Sequence, residues 1–350
     1  MTALEPAAAP EKGAGVKTVS LALQGGGAHG AFTWGVLDRL LDEPRLAVEA
    51  LTATSAGAVN AVIFAEGLRT GGRPGAQAAL AELWERIARS AVFSPLASTP
   101  FDSFLPAALR RMMPGRILLD IASRLISPYQ SNPLNYNPLR ILLSDMVDFA
   151  ALRGHCPVQL FLSATNVRSG KIRVFTREEL DVDHVLASGA LPLMFQAVEI
   201  DGEAFWDGGF MGNPAIFPLI YNCAGTDVII VHINPIERPD LPRTAPDILN
   251  RMNEITFNSS LMREMRAIEF AIRLIDEGRV VDNRLKRMKI HSIEADEVMR
   301  GLGVESKLHP DWGFLQELHA VGRETAEAWL AAHFDAIGTD SSVDIRARFL

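Results

Sequence analysis

The chain has 350 residues, 48% of them hydrophobic and 22% charged, which suits one large globular domain or two modest ones and excludes disorder outside the ends. A formal net charge of -8 argues against nucleic acid as the main partner, because phosphate binding needs a basic footprint. Two cysteines, Cys156 and Cys223, imply no disulfide framework and read as reduced core residues.

Residues 1–15 read as a flexible leader, and MTALEPAAAPEKGAGVK lacks the apolar core of a signal peptide. No uninterrupted apolar run reaches the roughly 18 residues that span a bilayer, so a cytoplasmic protein is expected. VKTVSLALQ, residues 16–24, reads as a buried parallel strand that stops at glycine. A helix follows from Ala31 to Leu41, with Phe32, Val36, Leu37 and Leu40 on one face. LAVEALTATS is a second strand, and AGAVNAVIFAEGL a second helix. This alternation predicts an α/β fold whose site lies at the C-terminal ends of parallel strands.

Residues 75–150 are helical and interrupted, and read as a cap inserted between core elements. CPVQLFLSATNV and KIRVFT then predict a hairpin, DVDHVLASGA a helix, AVEIDGEAFWDGG a short extended pair, NPAIFPLIYNC a helix and TDVIIVHINP another buried strand. The α/β core is thus expected over 16–240. Residues 241–338 read as an extension, mostly helical with one late strand at KRMKIHSIEA, packed on the core, and 339–350 as a loosely held tail. The helices after Ala245 could cover their own sheet or pair with a second copy, and periodicity does not choose between them.

LQGGGAHGAF, residues 23–32, fits the G-x-G-x-x-G pattern at Gly25, Gly27 and Gly30. A dinucleotide site would also need an acidic residue closing the second strand, about 20 residues on. That strand instead ends in Thr52-Ala53-Thr54-Ser55-Ala56-Gly57, and no Gly-Lys-Ser or Gly-Lys-Thr follows the glycines. The run is better suited to a developing oxyanion. Ala53-Thr54-Ser55-Ala56-Gly57 is the strand-to-helix turn G-x-S-x-G with its first glycine replaced, a geometry that holds a serine hydroxyl at the head of a helix. Alone, Ser55 would read as an ordinary helix cap. Asp207-Gly208-Gly209, after a strand-like EAFW, adds a carboxylate beside backbone that can approach a site closely.

Together the glycine run, the Ser55 turn, the Asp207 triplet and the softer Ala164-Thr165-Asn166 and Ala187-Ser188-Gly189-Ala190-Leu191-Pro192 segments resemble the patatin-like phospholipase family. The resemblance spans roughly residues 16–235. It implies a three-layer α/β sandwich with a mostly parallel central sheet, and a Ser-Asp dyad without a cofactor. On that resemblance Ser55 is the nucleophile, Asp207 the general base, and the backbone around Gly25, Gly26, Gly27 and Ala28 the oxyanion hole, with Ala56 as a further donor. The implied activity is hydrolysis of lipid-like acyl esters. An intracellular hydroxyalkanoate polyester or a short-chain ester is the other enzymatic substrate considered, and an idle lipid-binding protein of the same fold the non-enzymatic reading. Ala28-His29 stands where the family often carries a basic residue, which argues against a preference for anionic head groups there; His29 itself is either an extra proton carrier or oxyanion donor, or a structural residue near the start of the first helix.

A Ser-Asp-His triad would draw its histidine from His291, His309 or His319. The early position of the serine turn argues against it. Scattered histidines give no metal motif. In the cap, Met112, Met113 and Leu118 lie among apolar residues and arginines that either line an acyl channel, meet a lipid surface, or form an ordinary amphipathic cover.

Overall fold

The β-branched run after residue 16 forms strand β1 (Lys17–Leu23) near the middle of an eight-stranded sheet. The computed structural model describes residues 15–92, 126–280 and 285–350. The other strands are β2 (Leu46–Ala53), β3 (Gln159–Asn166), β4 (Ile172–Thr176), β5 (Val198–Ile200), β6 (Glu203–Asp207), β7 (Asp227–His232) and β8 (Lys289–Glu294). Their order is β5-β6-β3-β2-β1-β7-β8, with β4 paired to β3. β3, β2, β1, β7 and β8 run parallel, whereas β4 and β6 are antiparallel to β3.

Side chains alternate along each strand and so feed two separate cores. Val19, Leu21 and Leu23 of β1, with Ile229 and Val231 of β7, face one layer of helices; Ala22, Val228 and Ile230 face the other. The first layer holds α1 (Gly30–Leu41) and α2 (Ala56–Val92). Between α2 and the last long helix come α3 (Pro128–Ser131), α4 (Pro138–Met146), α5 (Phe149–Gly154), α6 (Val182–Ser188), α7 (Phe217–Asn222), α8 (Ala245–Asp276) and α9 (Asp296–Arg300). α10 (Trp312–His333) then joins the first layer, while α8 and α11 (Ile345–Phe349) cover the opposite face through Leu261, Met265, Ile268 and Phe349. This is the three-layer arrangement with a mostly parallel sheet.

α1 and α10 pack with their backbones almost touching. A Cβ at Gly35 would lie 2.0 Å from the His319 carbonyl oxygen, and one at Gly322 only 2.2 Å from that of Phe32. Glycine at both positions is therefore what lets the C-terminal helix close over α1.

Three expectations change. Residues 75–92, read from sequence as the start of a cap, continue α2 beyond a break at Gly71 and Gly72, and Ala76, Leu80 and Leu83 are fully buried in the core. Residues 339–350 do not hang loose: Phe349 is buried, Arg348 pairs with Glu294 and Asp296, and the Ser342 amide donates to the Ile290 carbonyl. Cys223 is buried and Cys156 only half-buried, and both are free thiols. Among the described residues no helix is long and apolar enough to cross a membrane.

Candidate active site

The site is made by two strands that meet end to end. β2 stops at Ala53 opposite Leu162 of β3, and β6, running the other way, stops at Asp207 opposite Ala164. β4 occupies the remaining edge of both residues, pairing Leu162 with Phe175 and Ala164 with Arg173. β2 and β6 must therefore share one edge of β3, and their C-terminal ends arrive head to head. Ser55 follows one end, and Asp207 is the other.

Ser55 has φ 56°, a left-handed backbone that few residues other than glycine adopt, so the turn is strained and must be held from outside. Its amide donates to Ser188 Oγ at 3.0 Å, and Thr54 Oγ1 donates to the Gly212 carbonyl at 2.6 Å. Its carbonyl accepts from the Val59 amide at 3.1 Å, so Ser55 stands at the head of α2, where the helix dipole favours negative charge. Ala53, which replaces a glycine of the turn pattern, is buried at the end of β2.

Asp207 is completely buried. Its Oδ1 accepts from the Gly209 amide at 2.7 Å, while Oδ2 meets the geometry of no hydrogen bond among the described residues. Burial pushes the carboxyl up to about 6, against the pull of the Gly209 amide, the Ser55 hydroxyl and the charge of Lys307. Its backbone is pinned as well: the amide donates to Ala190 and the carbonyl accepts from Thr165 Oγ1, both at 2.9 Å. A fixed carboxylate with one unpaired oxygen and a pKa near 6 is ionised at neutral pH and able to accept a proton.

The glycine run lies beside the serine turn. Gly25, grouped from sequence with the oxyanion donors, is not available: its amide is taken by Asn213 Oδ1 at 2.7 Å. The run is framed by buried amides. Gln24 Oε1 accepts from the Ile233 and Asn234 amides at 2.9 and 3.0 Å, and Asn234 Nδ2 donates to the Gly25 carbonyl at 2.9 Å. Gly27 to His29 form a tight turn leading into α1. Gly27 has φ 58°, and a Cβ there would meet the Lys307 carbonyl oxygen at 2.3 Å. His29 is held to about 3 by burial and then by the charge of Lys307, so its imidazole is neutral. Ser306 Oγ donates to the Gly303 carbonyl at 2.7 Å, so it accepts from His29 Nε2 at 2.7 Å. His29 thus anchors the C-terminal segment, the structural role considered for it.

A cavity of about 730 Å³ opens onto Ser55, Gly27 and Ala28, with Val59, Leu142, Val185, Leu186 and Phe195 among its walls. Its size and apolar lining suit a long acyl chain. Met112, Met113 and Leu118, expected at such a channel, lie outside the described residues.

Of the histidines considered for a triad, His291 and His319 lie in other contacts and His309 is at the cavity wall. His291 is buried against Asp227 at 3.2 Å, and His319 packs tilted against Trp34 and pairs with Asp38 at 3.0 Å. His232 gathers with Glu294 and Asp296 in a group of metal-ligand type, but Arg348 donates to both carboxylates at 2.8 Å and Arg300 to Asp296 at 3.2 Å, so the two negative charges already face two guanidinium groups.

Sequence reading missed Asn213, Asn234 and Lys307. Ser188 sat in a segment that had been singled out, but nothing local assigned it to the Ser55 amide.

Residues 21–220 match the family model of patatin-like phospholipases. No curated protein matches the sequence. Among solved structures, VipD from Legionella pneumophila is similar at 14% identity, with 90% of this chain and 67% of that chain covered and a TM-score of 0.35. A chain of the heterodimeric ExoU–SpcU complex from the type III secretion system of Pseudomonas aeruginosa is similar at 15% identity, covering 90% of this chain and 52% of that one, with a TM-score of 0.30.

Proposed function

The chain belongs to the patatin-like phospholipase family and is an ester hydrolase, and we propose that it cleaves lipid acyl esters through a Ser55–Asp207 dyad. The observation that carries this reading is a fully buried Asp207 carboxyl, at the end of the strand that meets the Ser55 turn, whose Oδ2 has no hydrogen-bond partner among the described residues. Ser55 Oγ attacks the ester carbonyl as its proton passes to Asp207. The amides of Gly26, Gly27 and Ala28, with that of Ala56 at the head of α2, stabilise the tetrahedral oxyanion. When the bond from carbonyl carbon to alkoxy oxygen breaks, Asp207 returns the proton to the leaving alcohol. Water then attacks the acyl-serine, Asp207 accepts its proton, and the acid is released as Ser55 regains its hydrogen.

The apolar cavity beside Ser55 supports a long acyl chain over a short one. A fluorophosphonate probe tests the nucleophile: it labels wild type and leaves Ser55→Ala unlabelled. Labelling of both would end the dyad reading. A chain-length series of nitrophenyl esters, run beside phospholipid vesicles, tests the substrate. Turnover that rises with acyl length and extends to vesicles supports a lipid; a maximum at the shortest chains rejects it.

A further inference from the structure

We propose that Lys307 is a positioning residue of the reaction: through Asn234, its ammonium holds the glycine run in the shape that receives the oxyanion. The inference rests on the dyad reading and adds to it a residue from far along the chain.

Lys307 sits in a short turn, Val304–Leu308, that packs on the Gly27–His29 turn. Two contacts join it to the glycine run. Its carbonyl oxygen fills the space in front of Gly27, where no side chain fits. Its Nζ donates to Asn234 Oδ1 at 2.7 Å, and Asn234 Nδ2 donates in turn to the Gly25 carbonyl at 2.9 Å and to Gln24 Oε1 at 3.2 Å.

The chemistry of these groups sets the direction of the relay. An ammonium only donates, so it takes the oxygen of the Asn234 amide and turns the nitrogen toward the Gly25 carbonyl. Asn213 Oδ1 holds the amide of Gly25. Gly25 is thereby clamped at both its N–H and its C=O, immediately before the amides proposed to bind the oxyanion.

The charge is placed to matter as well. Gly27, Ala28, Ser55 and Lys307 line the same cavity. Asp207 and Glu254 attract the ammonium, Arg238 repels it, and His29 is neutral. Glu254 is already bound by Arg238 at 2.7 Å and by Arg251 at 3.2 Å. Burial pulls the ammonium down to about 8. Above that pH the charge is lost, and with it the charge-assisted bond to Asn234.

The test measures kcat and KM of the full chain on a soluble nitrophenyl ester from about pH 5 to about pH 10, for wild type, Lys307→Met, Lys307→Arg and Ser55→Ala. Wild type should lose activity through about pH 8. Lys307→Met should lower kcat by about 10- to 100-fold with little change in KM, the range seen when an outer partner of a site is removed, and should lack the alkaline fall. Lys307→Arg should recover much of kcat and stay active to the top of the range, because guanidinium keeps its proton. Wild-type kcat with an intact alkaline fall in Lys307→Met overturns the inference. Should Lys307→Met fail to fold, Lys307→Arg decides: an alkaline fall still near pH 8 counts against it. Ser55→Ala separates the two readings. If it hydrolyses like wild type, the dyad is wrong; if it is inactive while the Lys307 variants match wild type, only the lysine inference fails.

Discussion

Two aspartates are buried at opposite ends of the sheet, and they are treated in opposite ways. Asp227 opens β7 at the N-terminal end of the parallel strands and is surrounded by donors: His291 Nε2 at 3.2 Å, the Gly338 amide at 2.7 Å and Lys289 at 3.6 Å. Burial alone would raise its pKa, but these partners together hold it below the ordinary value. Asp207 closes β6 at the other end, has only the Gly209 amide on Oδ1 and no partner on Oδ2 among the described residues, and is raised to about 6. The satisfied carboxylate stabilises the fold. The unsatisfied one is kept basic enough to do chemistry, which costs stability.

The largest effect that would break this contrast lies in activity. Asp207→Asn should lower ester hydrolysis by about 10³-fold or more, whereas Asp227→Asn and His291→Ala should leave turnover per folded molecule near wild type. Hydrolysis by wild type should rise with pH through about 6 as Asp207 ionises. Near-normal turnover by Asp207→Asn would sink the contrast.

Next in size is stability. A raised pKa means that the contribution of Asp207 is fully present below its unfolded value of 3.8 and is lost as pH rises through about 6. Asp207→Asn removes that loss, so in urea denaturation it should be more stable than wild type at pH 8 by up to about 3 kcal/mol, with the gain gone below pH 4. Asp227 has the reverse sign: its contribution is present above the unfolded value of 3.8 and is lost as pH falls through the lowered folded one. Asp227→Asn should therefore destabilise the protein at pH 7 by about 2 kcal/mol, after allowance for its partial exposure to solvent. Equal and same-signed changes for the two variants would erase the distinction. The smallest effects are expected at His319→Ala, which loses a half-buried pair with Asp38 and should cost about 1 kcal/mol, and at His309→Ala; both should keep most hydrolysis.

Much of this was legible because it is local. Gly25 to Gly30, Thr54 to Gly57 and Asp207 to Gly209 each announce themselves by short-range backbone demands: a tight turn, a strained serine and a close approach. The period of apolar residues announces β1, α1, β2 and β7 in the same way. What stayed hidden depends on pairing partners. The Gly25 amide looked like a free donor until Asn213, 188 residues away in sequence, was found against it. Residues 75–92 looked like part of a cap because they open an interrupted helical stretch between core elements; burial of Leu80 and Leu83 carries α2 past the break at Gly71 and Gly72. The tail looked loose because its polar residues give no sign of the carboxylates that Arg348 meets.

The sequence by itself determined the α/β alternation and the strand-to-helix turn at Ser55, because each follows from sterics and periodicity within a dozen residues; the candidate nucleophile and base are what the family resemblance of those motifs implies. Only the tertiary structure decided that the ends of β2 and β6 meet on one edge of β3, that His29 is neutral, and that Lys307 stands behind the glycine run. Those depend on strand register, on burial and on contacts closed by chain segments up to about 280 residues apart, which no local pattern encodes.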